Sequence, residues 1–379
     1  MQKITIVAHA LSAGGGISVG RNLILSLQQK LTDVEYQIFM PADLGYEKSI
    51  VNPEKTEVHL FKKQKNLITR FCYDFSFLEK QISQFKPDLV ICLGNRGVEY
   101  RGAKQFLLCH DPHLFYPVKF YERETRKKKL VKWFQQRRFA KDLKNTDTLF
   151  LQTEVAAKRI VDMFAYKGKT VILPNAVSVE VKDASVSPDA PELINQQATK
   201  FKLFYLTRYY PHKNIELLIE LFDKYRDQLV NVCLYLTIEE SQHPLAKKLL
   251  SDIKHLELGD YIINVGPLAQ AELPTYFSHV DALVMPTTLE SFSGTYLEAM
   301  SFSCPVLTSD LDFAKAICGD AALYFDPWNV DSLFNALMQL TGDNNIQTEL
   351  QEKGRERLHG FGTTWEENGE RLVEAIIDN

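Results

Sequence analysis

No stretch of this 379-residue chain reaches the roughly 18 consecutive apolar residues that a membrane-spanning helix needs. Its six cysteines form no Cys-x-x-Cys pair and keep no regular spacing, which excludes a sequence-evident zinc site or disulfide framework. Cys92, Cys109 and Cys233 lie inside apolar runs, as reduced thiols acting as small hydrophobes do, and point to a reducing compartment. Strong charge of either sign is lacking too: the formal net charge is −4, which gives no reason to expect a nucleic-acid partner. There is no internal repeat and no low-complexity tract. No signal peptide is expected at the start of the sequence. The apolar run ending near Ala8-His9-Ala10 is short, carries a histidine and flows into Gly14-Gly15-Gly16, which reads as a first strand and glycine loop. The expectation is a cytoplasmic protein, with the inner face of the membrane as a further possible location.

The chain does contain apolar strands in quantity. Hydrophobic residues make up 45% and charged residues 24%, enough for two cores in a chain whose length suits two domains. Strand candidates in the first half are Lys3–Ala8, Glu35–Met40, Glu57–Phe61, Asp88–Leu93, Gln105–Cys109, Thr148–Gln152 and Thr170–Leu173. In the second half they are Lys202–Thr207, Val230–Leu236, Tyr261–Val265, Ala282–Met285, Pro305–Thr308 and Ala322–Phe325. Several are apolar almost throughout, as strands covered on both faces are, and helix-like segments separate them. The fold class is therefore α/β, with two doubly wound, Rossmann-like domains facing a central cleft. The aperiodic Val177–Lys200 stretch, with Pro188 and Pro191, reads as the linker between a domain over 1–176 and a domain over 201–360. Ligands of such sheets sit beyond the carboxyl ends of the strands, so functional residues are expected in strand-to-helix loops.

Two carboxylates meet that expectation. Glu290 falls just past the strand Ala282–Met285, and Glu298 in the first turns of the helix that follows. Between them Ser293 or Thr295 can cap the helix, Gly294 allows close approach to the backbone, and the first free amides suit a diphosphate. An ionised glutamate only accepts hydrogen bonds, which fits sugar hydroxyls. Taken singly, Glu298 reads as a helix-dipole partner and Glu290 as a solvated loop residue. Arg208 ends another strand, and Lys213 stands before the next helix, where a bound anion offsets the unfavourable dipole.

In the first half, Ser12-Ala-Gly-Gly-Gly-Ile-Ser18 precedes a helix over Val19–Leu27, and Gly15 and Gly16 can cradle phosphate or act as a flexible turn. His110-Asp111 ends a strand, with Asp111 placed to orient the imidazole. His110 and His113 lack an apparent third ligand for a metal, and Asp310-Leu-Asp312 reads as a turn or cap, so no metal site is expected. Gly94-Asn95 ends a further strand. From Lys119 to Lys144, eleven lysines and arginines face only Glu122, Glu124 and Asp142, with Tyr121, Leu130, Trp133, Phe134 and Phe139 interleaved. That segment is either a contact for an anionic membrane or lipid-linked acceptor, or a solvated helix whose aromatics pack on its own domain.

The run Glu290-Ser-Phe-Ser-Gly-Thr-Tyr-Leu-Glu298 resembles the E-x7-E signature of retaining GT-B glycosyltransferases of the GT4 family, and Arg208-x4-Lys213 resembles that family's diphosphate-binding pair. Relatives often carry Gly at the positions of Ser291 and Ser293, and a glycine-rich turn where this chain has Leu236-Thr-Ile-Glu-Glu-Ser241. The resemblance implies that Glu290 holds hydroxyls of the transferred sugar, that Glu298 holds the ribose, and that the amides of Gly294, Thr295 and Tyr296 face the sugar and phosphates. It implies that Val265, Gly266 and Leu268 meet the base through the backbone, that Gly15 and Gly16 face the donor phosphates, and that His110 contacts the donor sugar. Asn95, Asp111 and Trp133 would lie on the acceptor side. The Trp365 helix, over about 361–379, would pack back on the first domain. The implied reaction moves a sugar from a UDP- or GDP-linked donor to a glycan or lipid-linked hydroxyl with retention, without a cofactor or an obligatory metal. Two other readings fit the same residues: a GT-B-like subunit that binds without turnover, and a sugar-nucleotide epimerase.

Overall fold

Short strands that are buried on both faces set the architecture of the computed structural model, which describes residues 2–12, 15–62, 77–176, 186–187, 189, 191–361 and 364–378. The first sheet has seven strands in the order β3-β2-β1-β4-β5-β6-β7. These are β1 (Gln2–Val7), β2 (Val34–Pro41), β3 (Thr56–Phe61), β4 (Leu89–Cys92), β5 (Lys104–Cys109), β6 (Thr148–Leu151) and β7 (Lys169–Ile172). The second has six in the order β10-β9-β8-β11-β12-β13. They are β8 (Phe201–Tyr205), β9 (Val232–Leu236), β10 (Ile262–Asn264), β11 (Ala282–Met285), β12 (Val306–Ser309) and β13 (Ala322–Phe325). Neighbouring strands pair in parallel throughout both sheets. Parallel pairing requires crossovers, and buried strands such as Leu89–Cys92 and Ala282–Met285 are apolar because helices cover both faces.

Helices α1 (Gly15–Lys30), α2 (Leu78–Phe85), α3 (Arg126–Asp142) and α4 (Glu154–Phe164) accompany the first sheet. Helices α5 (Glu192–Asn195), α6 (Ile215–Lys224), α7 (Pro244–His255), α8 (Leu273–His279), α9 (Gly294–Ser301), α10 (Asp312–Cys318), α11 (Val330–Gly342) and α12 (Asn344–Phe361) accompany the second. The last, α13 (Trp365–Ile377), joins the first core. Its Leu372, Ala375 and Ile376 pack in one cluster with Leu23, Ile24 and Leu27 of α1. The approach is close: a Cβ on Gly369 would lie 1.5 Å from Ser26 Oγ, so only glycine fits there. Asn368 donates to the Pro174 carbonyl at 2.7 Å and fixes the end of that helix's approach.

The chain forms two compact units, one of Met1–Tyr116, Lys127–Asn175 and Thr363–Asn379, the other of Pro117–Arg126 and Ala176–Gly362. The segment Pro117–Arg126 thus belongs with the second sheet although it precedes it in sequence by some 75 residues. The first part of the linker expected over 177–200 lies outside the described residues; its end carries the short helix α5. Cys72 is also outside them, whereas Cys92, Cys109, Cys233, Cys304 and Cys318 are buried free thiols. Among the described residues no helix is long and apolar enough to cross a membrane.

Candidate functional site

In both sheets the strand order reverses once, between β1 and β4 and between β8 and β11. At such a reversal the two crossovers leave in opposite directions and open a crevice beyond the strand ends. In the second unit the loops that border this crevice are those carrying Arg208 and Lys213 after β8, and Glu290 after β11.

Hydrogen bonds knit the two loops together. The Thr288 amide donates to the His212 carbonyl at 2.8 Å, and the Thr287 hydroxyl donates to the same oxygen at 3.1 Å. Ser309, on β12, donates to the Thr287 carbonyl at 2.7 Å. Tyr205 at the end of β8 donates its buried hydroxyl to the Lys213 carbonyl at 2.8 Å. With both loops pinned, the Lys213 ammonium and the Glu290 carboxylate form a direct ion pair. Their side chains are only 15% and 13% exposed, so water screens the pair weakly. Arg208 is exposed at the head of the same loop and forms no ion pair among the described residues.

Helix α9 begins at Gly294, with Ser293 at the N-cap in an extended conformation but making no side-chain cap bond. A Cβ on Gly294 would meet nothing within 4 Å, so the first turn faces open space. Thr295 is half-buried beside it, and Tyr296 is fully buried with its hydroxyl 2.8 Å from Thr308 Oγ1, which anchors the helix to β12. Glu298, on the same helix, is half-buried with no hydrogen-bond or ion-pair partner for its carboxyl group among the described residues. Burial alone pushes that carboxyl up to about 7. The crevice is thus bordered by a paired carboxylate, an unpaired carboxyl that titrates near neutrality, two cations and uncapped helix amides.

The Pro117–Arg126 segment braces these loops from within the second unit. Thr288 donates its hydroxyl to the Phe120 carbonyl at 2.7 Å, and Arg123 pairs with Glu216 of α6 at 2.7 Å. Glu216 also accepts from the Tyr209 hydroxyl at 2.6 Å. Sequence reading did not single out Thr288, Phe120 or Glu216, because nothing local marks contacts between segments so far apart.

Val265 and Gly266 follow β10, where Gly266 adopts a positive φ of 76°. They line a cavity of about 710 Å³ together with Glu239, Glu240, Ser241 and Lys254; Leu268 lies just beyond, half-buried. Asn264 bonds both the amide and the carbonyl of Ile238, at 3.1 and 3.0 Å, and so fixes the Glu239–Ser241 wall.

In the first unit, the loops after β1, β4 and β5 converge at the other reversal. The glycine loop is shorter than its sequence suggests: α1 starts at Gly15 rather than Val19, so Gly15 and Gly16 are first-turn helix residues. A first turn needs no Cβ contacts, and burial of Val19, Leu23, Ile24 and Leu27 carries the helix past its glycines. A Cβ on Gly16 would lie 3.8 Å from His110 Nε2, which brings the glycine turn to the imidazole. Asn95, in the left-handed region at φ 63°, accepts from the His110 and Asp111 amides at 2.6 and 2.8 Å. Its side-chain amide lies 3.1 Å from His110 Nε2. Burial holds the His110 imidazole below its usual range, against the opposing pull of Asp111, and so favours its neutral form. The Asp111 carboxylate turns to His113 Nδ1 at 2.8 Å and to Lys132 at 3.2 Å. Asn95, rather than the expected Asp111, is therefore the residue whose side chain holds His110. Burial disfavours the charge on Asp111, yet the His113 hydrogen bond and the Lys132 cation outweigh it and hold the carboxyl well below its usual range. Trp133, on α3, is 44% exposed with the Arg137 guanidinium over its ring at 4.3 Å.

A family model described as "Glycosyl transferases group 1" matches residues 189–357. The chain is 25% identical over 222 residues to a probable sucrose-phosphate synthase of Beta vulgaris, a match covering 53% of this chain and 21% of that protein. The chain thus spans about a fifth of that relative's length. Among solved structures, the sucrose-phosphate synthase of Thermosynechococcus elongatus superposes with a TM-score of 0.75 at 17% identity, covering 100% of this chain and 99% of that one. HepE from Anabaena, in complex with UDP and glucose, superposes with a TM-score of 0.68 at 15% identity over 100% of both chains. At these identities the structural likeness speaks for the fold.

Proposed function

We propose that this chain, which belongs to the group 1 glycosyltransferase superfamily of GT-B fold, transfers a sugar from a nucleotide-diphosphate donor to a hydroxyl of a glycan or lipid-linked acceptor. The observation that carries the reading is the Lys213–Glu290 pair at the strand-order reversal, with the unpaired Glu298 on the next helix. Lys213 and Arg208 supply positive charge for a leaving diphosphate, and the first amides of α9 add dipoles aimed into the same crevice. Glu290 accepts from hydroxyls of the transferred sugar, and Glu298 from those of the ribose. The cavity beside Val265 and Gly266 takes the base. The UDP and glucose bound to the structurally similar HepE support a nucleotide-linked donor.

None of these groups is placed as a covalent nucleophile, and the reading is transfer with retention by front-side attack. The acceptor proton leaves with the departing phosphate, and catalysis rests on positioning and charge stabilisation rather than on a metal. Thermal-shift titration with UDP and GDP should identify the nucleotide, and slow hydrolysis of the matching nucleotide sugar should persist in EDTA. A strict metal requirement overturns the metal-free mechanism. Binding without any hydrolysis or transfer favours a non-catalytic subunit, and acceptor-independent release of an epimerised sugar favours an epimerase.

A second reading concerns α3. Of its 17 residues only Phe139 and Asp142 are buried, whereas Leu130, Trp133 and Phe134 are 56%, 44% and 57% exposed among its lysines and arginines. Exposed aromatics amid cations suit the interface of an anionic bilayer, where a lipid-linked acceptor resides at the inner face of the membrane. Cosedimentation with vesicles rich in anionic lipid should recover the protein, and zwitterionic vesicles should not. The double change Trp133→Ala, Phe134→Ala should weaken recovery by about tenfold or more. Recovery that ignores both lipid charge and these substitutions removes the membrane reading.

A further inference from the structure

We infer that Asn214 is a positioning residue that holds Lys213 against Glu290, an assignment that rests on the donor-site reading above. Asn214 is 2% exposed and joins the turn Pro211–Lys213 to helix α6. Its backbone is left-handed, at φ 56° and ψ 35°, a conformation that asparagine, aspartate and glycine adopt more readily than other residues. It stands at the N-cap of α6, where an asparagine side chain ordinarily bonds the helix's own first amides, yet it makes no such bond. Its side-chain amide instead donates to the Pro286 carbonyl at 3.0 Å and to the Pro327 carbonyl at 2.8 Å.

Those two carbonyls belong to other crossovers. Pro286 directly follows β11 and lies four residues before Glu290; Pro327 follows β13. One buried amide group therefore ties together the loops after β8, β11 and β13. Lys213 is its chain neighbour, so the same group sets where the lysine loop stands relative to the glutamate loop. The Thr287 and Thr288 bonds to the His212 carbonyl secure the same junction one residue earlier.

The position needs two properties at once, tolerance of positive φ and two N–H donors, and asparagine has both. Glycine keeps the backbone and loses both bonds. Aspartate keeps backbone and shape but turns an oxygen towards two carbonyl oxygens, leaving acceptors facing acceptors. The near-isosteric change is therefore the more damaging one, which is the opposite of what size and shape alone dictate.

The experiment compares Asn214→Gly, Asn214→Asp and Leu340→Ala, the last a buried residue of α11 serving as a stability control. All are assayed well below their melting temperatures. Hydrolysis of UDP-glucose and GDP-mannose gives kcat and KM. Modification of Lys213 by an amine-reactive acetylating reagent, followed by mass spectrometry, reports the position of the lysine without any substrate. Asn214→Gly should lower kcat about tenfold and Asn214→Asp further, while the control, whatever its loss of Tm, stays within about twofold. Lys213 should be acetylated about tenfold faster in both Asn214 variants and at the wild-type rate in the control. Equal kcat and equal labelling in the Asn214 variants and the control overturn the assignment. If wild type hydrolyses neither donor, the donor-site reading fails, and the labelling rates still decide whether Asn214 positions Lys213.

Discussion

Replacing Lys213 with alanine should lower the rate of donor hydrolysis or transfer by about two to three orders of magnitude, the loss typical of a single preorganised charge-stabilising donor. The change has two effects on a bound diphosphate. It removes a cation and leaves Glu290 as a mostly shielded carboxylate without its partner, so the crevice changes from nearly neutral to anionic. Restoring neutrality should repair part of the damage. The double variant Lys213→Ala, Glu290→Gln should therefore bind UDP or GDP more tightly than Lys213→Ala alone, although it regains no turnover. Calorimetric titration of the four members of this cycle checks the coupling. Additive losses, or a Lys213→Ala enzyme within about tenfold of wild type, mean that the pair does not face the diphosphate. Arg208→Ala should cost less, because that side chain is exposed and its charge is screened.

The affinity for the nucleoside diphosphate should rise with pH through neutrality and reach a plateau above it, and Glu298 is the reason. Burial raises its carboxyl from the ordinary 4.5 to about 7, so below that pH the empty site holds a protonated group. Ribose hydroxyls donate best to the ionised form, and binding must then release a proton at acid pH. Affinity should increase about tenfold between about pH 6 and pH 8, and the slope should vanish in Glu298→Gln. A Kd that is flat with pH in wild type, or equally sloped in the variant, removes Glu298 from the ribose site. Stability of the unliganded protein runs the other way. Between 4.5 and about 7 the folded state binds a proton that the unfolded chain has lost, so the contribution of this group is present below 4.5 and is lost as pH rises to 7. The loss is on the order of 3 kcal/mol. Glu298→Gln should therefore raise Tm at about pH 8 and leave it little changed at about pH 4.5.

Much of the scaffold was legible in the residues. Runs such as Leu89–Cys92 and Ala282–Met285 are apolar throughout because both faces are covered, and each candidate strand corresponds to an observed one within a few residues. The loops carrying Arg208, Lys213 and Glu290 follow strands, as open α/β sheets require. The ion pair between Lys213 and Glu290 was not legible, because it joins residues 77 positions apart and exists only since β8 lies beside β11. Asn214 drew no notice in the sequence, since neither its left-handed backbone nor its distant acceptors leave a local mark. That Glu298 has no partner among the described residues is likewise a property of its neighbours. The glycine loop was overextended because three glycines argue locally against a helix that tertiary burial nonetheless begins at Gly15. On α3 the spacing left packed and exposed aromatics equally open, and in the folded protein Leu130, Trp133 and Phe134 are exposed.

The Pro117–Arg126 brace has a consequence for recombination. A gene splice at one point near Ala176 would exchange the second sheet but leave its brace behind with the first. Thr288 would then meet a foreign carbonyl in place of that of Phe120, and Glu216 a foreign partner in place of Arg123. The terminal helix adds a further crossing, since its glycine contact with Ser26 belongs to the opposite end of the chain. Lineages that acquire a new donor preference by exchange must therefore move two separate stretches together and leave the terminal helix behind, whereas point changes in the loops after β8, β10 and β11 meet no such barrier.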